Sequence, residues 1–177
     1  MKARKISVND LCMMGIFTAV IAVMSQIMIP MPYGVPMTLQ TLAIPMAGIM
    51  LGSKKGTLAT IIYMLVGAVG VPVFAGFAGG LGIVFGPTGG FIMSFPILAF
   101  AAGIGAEKNN KWSIWIGLVA GVIINYICGV IYFSLYTSND LITSFTACVL
   151  LFIPTDIVKI ITAGMLCTKI RRLSDVV

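Results

Sequence analysis

Residues 112–136, WSIWIGLVAGVIINYICGVIYFSLY, contain no charged side chain, and the nearest basic residues, Lys108 and Lys111, lie only on their N-terminal side. A membrane-spanning helix needs about 20 mostly apolar residues to cross ~30 Å of hydrocarbon, and this stretch satisfies that requirement alone. Outward from it, polar breaks divide the chain into six apolar stretches, roughly 10–29, 38–52, 57–74, 89–106, 112–136 and 142–168. The whole composition agrees: 177 residues, 59% hydrophobic and 9% charged, with mean hydropathy +1.10. Such a length holds about six spans with short connections and leaves no room for a soluble domain. The expected fold is therefore one all-α integral membrane domain over residues 1–177, a bundle of six transmembrane helices.

Two stretches are irregular. The second is short, and the sixth is too long for one straight span and contains Pro154. Proline cannot donate to a helix ladder and is favoured in a first turn. The last helix is expected to run from near Pro154 to about Ile170, with 141–152 as a separate shorter helix or dipping segment. The start, MKARKISVND, resembles the charged end of a signal peptide, but its apolar run is too long and no small-x-small site closes it. It reads as a retained first helix.

Charge sets the orientation. Lys2, Arg4 and Lys5 precede the first stretch; Lys54 and Lys55 separate the second from the third; Lys108 and Lys111 separate the fourth from the fifth; Lys169, Arg171 and Arg172 follow the sixth. Ten of the eleven basic residues thus fall on one side of an alternating scheme. The positive-inside rule places that side, and both termini, in the cytoplasm of a multi-pass cell-membrane protein. The net charge of +6 marks the membrane face and calls for no nucleic acid.

The same scheme puts GFAGGLGIVFGPTGG, residues 76–90, in an extracellular loop without charge. Glycine at this density lets backbone run close to a phosphate, a neighbouring helix or a small ligand. A phosphate is disfavoured, since neither G-x-x-x-x-G-K-[ST] nor the dinucleotide pattern is met, and GSKKGT at 52–57 has the wrong spacing. ATP hydrolysis is not legible anywhere in the chain. Cys12, Cys128, Cys148 and Cys167 form no C-x-x-C pair and there is no His, so neither a metal nor a covalent cofactor is expected.

The eleventh basic residue, Lys159, lies inside the last stretch in PTDIVKIITAG, three positions after Asp156 and so on the same helical face. Charges at this depth cost about 2.5–3.5 kcal/mol each on insertion scales and are functional sites by default. The alternative is a self-neutralising pair that holds helices together. Asp156 also falls in the first turn after Pro154, where the helix dipole favours an anion. Asn125 reads two ways, as an interhelical hydrogen bond or as a ligand contact. Gln40 lies near the outer end of the second stretch and can reach the same chamber; Thr38 can cap that helix. Tyr63, Tyr126 and Tyr132 are packing aromatics or pocket walls. On the first helix Gly15, Thr18, Ala19, Ala22 and Ser25 form a small-residue stripe suited to close packing, within the bundle or against another membrane protein. Gly48/Gly52 and Gly117/Gly121 read as close packing.

Taken together, VPMTLQTLA at 35–43, GVPVFAGFAGGLGIVFGPTGGF at 70–91 and IPTDIVK at 153–159 resemble the BioY family, the biotin-binding membrane subunits of energy-coupling factor (ECF) transporters. The resemblance spans nearly the whole chain in order. It implies a six-helix bundle, biotin as substrate, a transmembrane coupling subunit and two ATPase subunits as partners, and no enzymatic activity in this chain. It further implies a ligand site at Asp156, Lys159, Asn125 and Gln40, with Gly79, Gly80, Gly86, Thr88, Gly89 and Gly90 as a lid that approaches the ligand. Docking to the coupling subunit is implied through Gly15, Thr18, Ala19 and Ala22. Three residues depart from the family pattern: Thr155 where glycine is common, Phe77 within the glycine run, and Thr18 where Ala is frequent. Competing readings are a subunit for another vitamin such as riboflavin or thiamine, a small intramembrane enzyme, or a structural subunit whose buried pair is glue.

Overall fold

Ser7 sets the start of the first helix. Its Oγ accepts from the Asp10 N–H at 3.1 Å, and the Asp10 carboxylate accepts from the Ser7 N–H at 3.1 Å, a reciprocal capping box. Helix α1, Val8–Gln26, follows. The computed structural model describes residues 7–31, 34–108 and 110–174. Lys2, Arg4 and Lys5 lie outside the described residues, as do the side chains of Lys111, Arg171 and Arg172.

After α1 the chain forms a two-stranded hairpin, β1 (Met28–Ile29) antiparallel to β2 (Met37–Thr38), with Met28 opposite Thr38. Helices α2 (Gln40–Leu51) and α3 (Ser53–Ala68) are then separated by Gly52 alone. Its φ of +83° is a conformation that side chains with a β-carbon rarely adopt, so glycine permits this one-residue turn. The turn moves a boundary: α3 begins at Ser53 rather than near 57, so Lys54 and Lys55 stand in its first turn, not in a connection. Glu107, the last residue of the later helix Gly89–Glu107, accepts from both the N–H and the Oγ of Ser53 at 2.7 and 2.8 Å. An N-terminal donor of α3 is thereby satisfied by an anion at the positive end of its dipole. Lys55 pairs with Asp10, tying α3 to α1 at the same end.

The glycine-rich connection contains a short helix α4 (Leu81–Val84), and α5 (Gly89–Glu107), α6 (Lys111–Thr137), α7 (Leu141–Phe145), a π-helical turn (Thr146–Leu150) and α8 (Ile153–Ser174) follow. The segment before Pro154 is indeed separate, and the direction changes by 49° between it and α8. Helix α5 is the hub, packing on α6, α2 and α3. Backbones touch where glycines allow it: a β-carbon on Gly117 would stand 2.5 Å from the Ala101 carbonyl oxygen, and one on Gly48 would stand 2.1 Å from that of Ala99. The main core gathers Ile21, Ile44, Tyr63, Phe95 and Phe133 around the glycine-rich end. A smaller one, with Ile49, Leu118 and Ala163, fills the other end.

Among the described residues three helices are long and apolar enough to cross a membrane: α1, α5 and α6, the last over Trp112–Thr137. The bent pair 141–150 and 153–169 makes a fourth if counted as one span. Helices α2 and α3 have 12 and 16 residues. At 1.5 Å per residue they measure about 18 and 24 Å, short of a full hydrocarbon core.

Candidate functional site

Helix α8 begins with Pro154 in its first turn, and this brings Asp156 and Lys159 onto one inward face. Both are buried, at 4% and 8% exposure, so each charge depends on protein partners. Lys159 Nζ donates to Asp156 Oδ1 at 2.7 Å, to the Thr38 carbonyl at 2.7 Å and to Thr41 Oγ1 at 3.0 Å, which uses all three ammonium hydrogens. Asp156 Oδ1 also accepts from Thr41 Oγ1 at 3.1 Å, and Oδ2 accepts from the Tyr126 hydroxyl. One ion pair is therefore held by α8, α6, α2 and the end of β2.

A second polar group sits beside it. Gln40 Nε2 donates to the Tyr63 hydroxyl at 2.6 Å, and Gln40 Oε1 accepts from Thr38 Oγ1 at 2.9 Å. Tyr63 in turn donates to the Val73 carbonyl at 3.1 Å. Thr38 Oγ1 accepts from the Gln40 N–H at 3.2 Å, although Leu39 occupies the cap position of α2. Asn125 supplies the third group. Its Nδ2 donates to the Phe91 carbonyl at 3.0 Å and to Ser94 Oγ at 2.7 Å, which joins α6 to α5. Its Oδ1 is buried and has no partner among the described residues. Both readings of Asn125 thus have a physical basis: the amide nitrogen packs the helices, and the amide oxygen is left as an acceptor in need of a donor.

These groups face one cavity of about 320 Å³ at the glycine-rich end, a volume typical of small-molecule sites. Asp156, Lys159, Gln40, Asn125 and Thr88 line it, while Phe74, Phe91, Phe95, Phe152 and Tyr126 supply apolar walls. The hairpin contributes the rim through Met28, Met31 and Met37. Of the three tyrosines weighed from sequence, Tyr126 is wall, Tyr63 carries the Gln40 network, and Tyr132 donates to the Phe85 carbonyl.

The glycines stand elsewhere. Gly79, Gly80, Gly86, Gly89 and Gly90 are not among the cavity-lining residues; Thr88 alone of that group is. A β-carbon on Gly79 would meet the Val71 carbonyl oxygen at 2.5 Å, one on Gly86 that of Gly82 at 2.7 Å, and one on Gly90 the Tyr132 Cβ at 2.4 Å. The close approach of Gly79, Gly86, Gly89 and Gly90 is to neighbouring backbone and to α6, Gly80 has open space and a φ of +97°, and the segment presents Phe74, Ala75, Ile83 and Thr88 to the cavity. Thr155 Oγ1 donates back to the Phe152 carbonyl at 2.9 Å, within its own turn.

The small-residue stripe on α1 divides. Gly15 and Ala19 are exposed, and Gly15 has open space around it. Thr18 Oγ1 donates to the Ala59 carbonyl of α3 at 3.0 Å, and Ala22 packs against the main core. Sequence reasoning missed Thr41, which bridges both charges, and Ser94, which holds Asn125. Thr41 stands next to Gln40 in TLQTL, a motif in which its polarity was legible but its direction was not.

The BioY family model matches residues 1–175. The probable biotin transporter BioY of Pyrococcus horikoshii is 36% identical, covering 97% of this chain and 98% of that protein. The biotin transporter BioY of Thermotoga maritima is 38% identical over 90% of this chain and 94% of its own length. The fold is also that of the S-component for biotin from an ECF-type ABC transporter, in a crystal structure that aligns over 93% of this chain and 92% of that one, with TM-score 0.85 and 30% identity. With a family model spanning nearly every residue and full-length relatives above 30% identity, the chain belongs to the BioY family.

Proposed function

We propose that this protein takes up biotin as the substrate-binding subunit of an energy-coupling factor transporter. The observation that carries this reading is one cavity in which a buried acid–lysine pair and an unpartnered amide oxygen face the same aromatic-walled space. Biotin has an apolar bicycle and tail with a polar ureido group at one end and a carboxylate at the other. The free Asn125 Oδ1 and Asp156 suit its N–H donors, Thr88 suits an oxygen, Lys159 reaches one by exchanging its bond to Thr41, and the phenylalanines suit its apolar body. Gln40 fixes the floor through Tyr63. Gly79, Gly80, Gly86, Gly89 and Gly90 serve the site by letting their segment pack tightly enough to bring Phe74, Ile83 and Thr88 to the wall.

In this proposal the six longer helices all belong to the membrane domain, the shorter α2 and α3 included. Both termini are cytoplasmic and the cavity end faces outward, where biotin is captured. ATP is hydrolysed by two partner subunits, and the transmembrane coupling subunit docks on α1. Gly15 and Ala19, which face outward, make that contact, and Thr18 and Ala22 hold α1 to the bundle.

The test is saturable binding of radiolabelled biotin to the purified chain in detergent, beside Asp156→Asn and Lys159→Ala. Stoichiometric binding that either substitution abolishes, with the bundle still folded, is expected. A folded chain that binds riboflavin or thiamine in place of biotin, or no vitamin, overturns the reading.

A further inference from the structure

The connection between α3 and α4 is fastened to α1 by side chains that the binding site itself does not use. Ser25, fully buried near the end of α1, donates to the Val73 carbonyl. Gln26 Nε2 donates to the same carbonyl at 3.2 Å and to the Phe74 carbonyl at 3.1 Å. Its Oε1 accepts from the Phe77 N–H at 2.8 Å. One amide side chain thus holds three residues of the loop, with its donor end on residues 73 and 74 and its acceptor end on residue 77. Tyr63 reaches the Val73 carbonyl from α3 and connects it to Gln40 in the cavity wall.

What the fastening holds is specific. Phe74 is 1% exposed, lines the cavity and packs edge-on against Tyr63 with centroids 5.6 Å apart. Its ring fills the space over Gly67, where a β-carbon would stand 2.3 Å from it. Phe77, by contrast, is 72% exposed and has φ +56°, a left-handed backbone that a residue with a β-carbon adopts only when its surroundings impose it. A backbone bond from the Phe74 N–H to the Ala78 carbonyl at 2.9 Å closes this turn, and the bond to Gln26 ties it to α1. The helix that carries the fastening is the least covered of the three long apolar helices, 17% buried against 67% for α5 and 44% for α6.

We infer that Gln26 and Ser25 are positioning residues for ligand capture: they clamp Val73–Phe77 to α1 and so hold Phe74 as a cavity wall. Retention of the ligand is then tied to the position of α1, the least covered of the three long helices. When α1 moves away, the wall loosens and release accelerates. The ligand part of this inference rests on the biotin reading above; the clamp itself does not.

Two measurements on the full chain in detergent test it. The first, without ligand, is amide hydrogen exchange over residues 73–78 in the native chain, Gln26→Met and Ser25→Ala. Exchange about tenfold faster in Gln26→Met, centred on Phe77, is expected, with α5 and α6 unchanged. Gln26→Glu retains the acceptor and should keep Phe77 protected while losing the donors to Val73 and Phe74. The second is the dissociation rate of radiolabelled biotin, expected about tenfold faster in Gln26→Met at an unchanged melting temperature. Unchanged exchange at 73–78 overturns the clamp. Faster exchange with unchanged release overturns its role in capture. If the native chain binds no biotin, the biotin reading fails and exchange alone decides the clamp.

Discussion

Lys159→Met tests whether the buried pair behaves as one electrostatic unit. The ammonium and carboxylate are 2.7 Å apart and both nearly inaccessible. With an effective dielectric constant of about 20, their attraction is about 6 kcal/mol. Removing both ions from water costs several kcal/mol each, so the pair is close to break-even against an apolar replacement. Removing one partner is different, because it strands the other. For a buried pair that cost is about 3–5 kcal/mol. Lys159→Met should fall in this range, since it also takes the ammonium from the Thr38 carbonyl and leaves Asp156 with Thr41 and Tyr126 alone. Asp156→Asn should sit at its low end, because the ammonium keeps Thr38, Thr41 and an amide oxygen as acceptors. The double variant should then cost less than the sum of the singles by at least about 2 kcal/mol, the signature of directly coupled groups. The assay is equilibrium unfolding without biotin, in micelles titrated with a denaturing detergent, on all four proteins of the cycle. Single effects that add to within about 0.5 kcal/mol would refute the paired geometry.

Asn125→Leu removes a transmembrane interhelical hydrogen bond, a loss of about 0.6–1.7 kcal/mol in stability, and should weaken biotin binding at least about tenfold, or 1.4 kcal/mol. Equal affinity in native and variant protein would mean that its free oxygen does not touch the ligand. Gly90→Ala forces a β-carbon against Tyr132 Cβ at 2.4 Å and the Cys128 carbonyl at 2.6 Å, so α5 and α6 must part at a cost of about 1–3 kcal/mol. Gly82→Ala, in open space within α4, should be neutral or gain up to about 1 kcal/mol; the paired melting temperatures check both. Asp140 caps α7, and its hydrogen bonds with Thr143 hold its carboxyl below the usual carboxylate range. A lowered folded-state pKa means that this cap stabilises above the ordinary value of about 3.9 and is lost as pH falls through the lowered one. Amide exchange over 141–145, corrected for intrinsic rates, should therefore rise relative to α6 in strongly acidic buffer. In Asp140→Asn, which still caps but does not titrate, that rise should vanish.

The helices were legible chiefly because uncharged length is a physical constraint. No backbone group can go unpaired in hydrocarbon, so a run such as 112–136 has little choice but to be helical; Pro154 sits in a first turn as expected, whereas Pro45 and Pro96 are accommodated inside α2 and α5. Boundaries were less legible, since Lys54 and Lys55 carry long stems that let their charges reach water from inside a helix. The stretch 69–74 misled for a related reason. VGVPVF reads as the end of a span, yet α3 stops at Ala68, where Gly70 takes φ +109° and Pro72 has no N–H to continue the ladder; beyond it the carbonyls of Val73 and Phe74 find donors on Ser25, Gln26 and Tyr63. No local pattern announces that a serine or glutamine at a helix end will serve a loop forty-eight residues away. The charged pair lay at the opposite extreme, since Asp and Lys inside an apolar stretch are so costly that their presence alone points to a shared partner and an inward face. The glycines illustrate the limit from a third side. Their density showed that backbone would approach something closely, but a β-carbon's absence is the same whether it admits a ligand or a helix. What distinguishes them is the neighbour at Gly90, a tyrosine of α6, and that neighbour is supplied by tertiary structure alone.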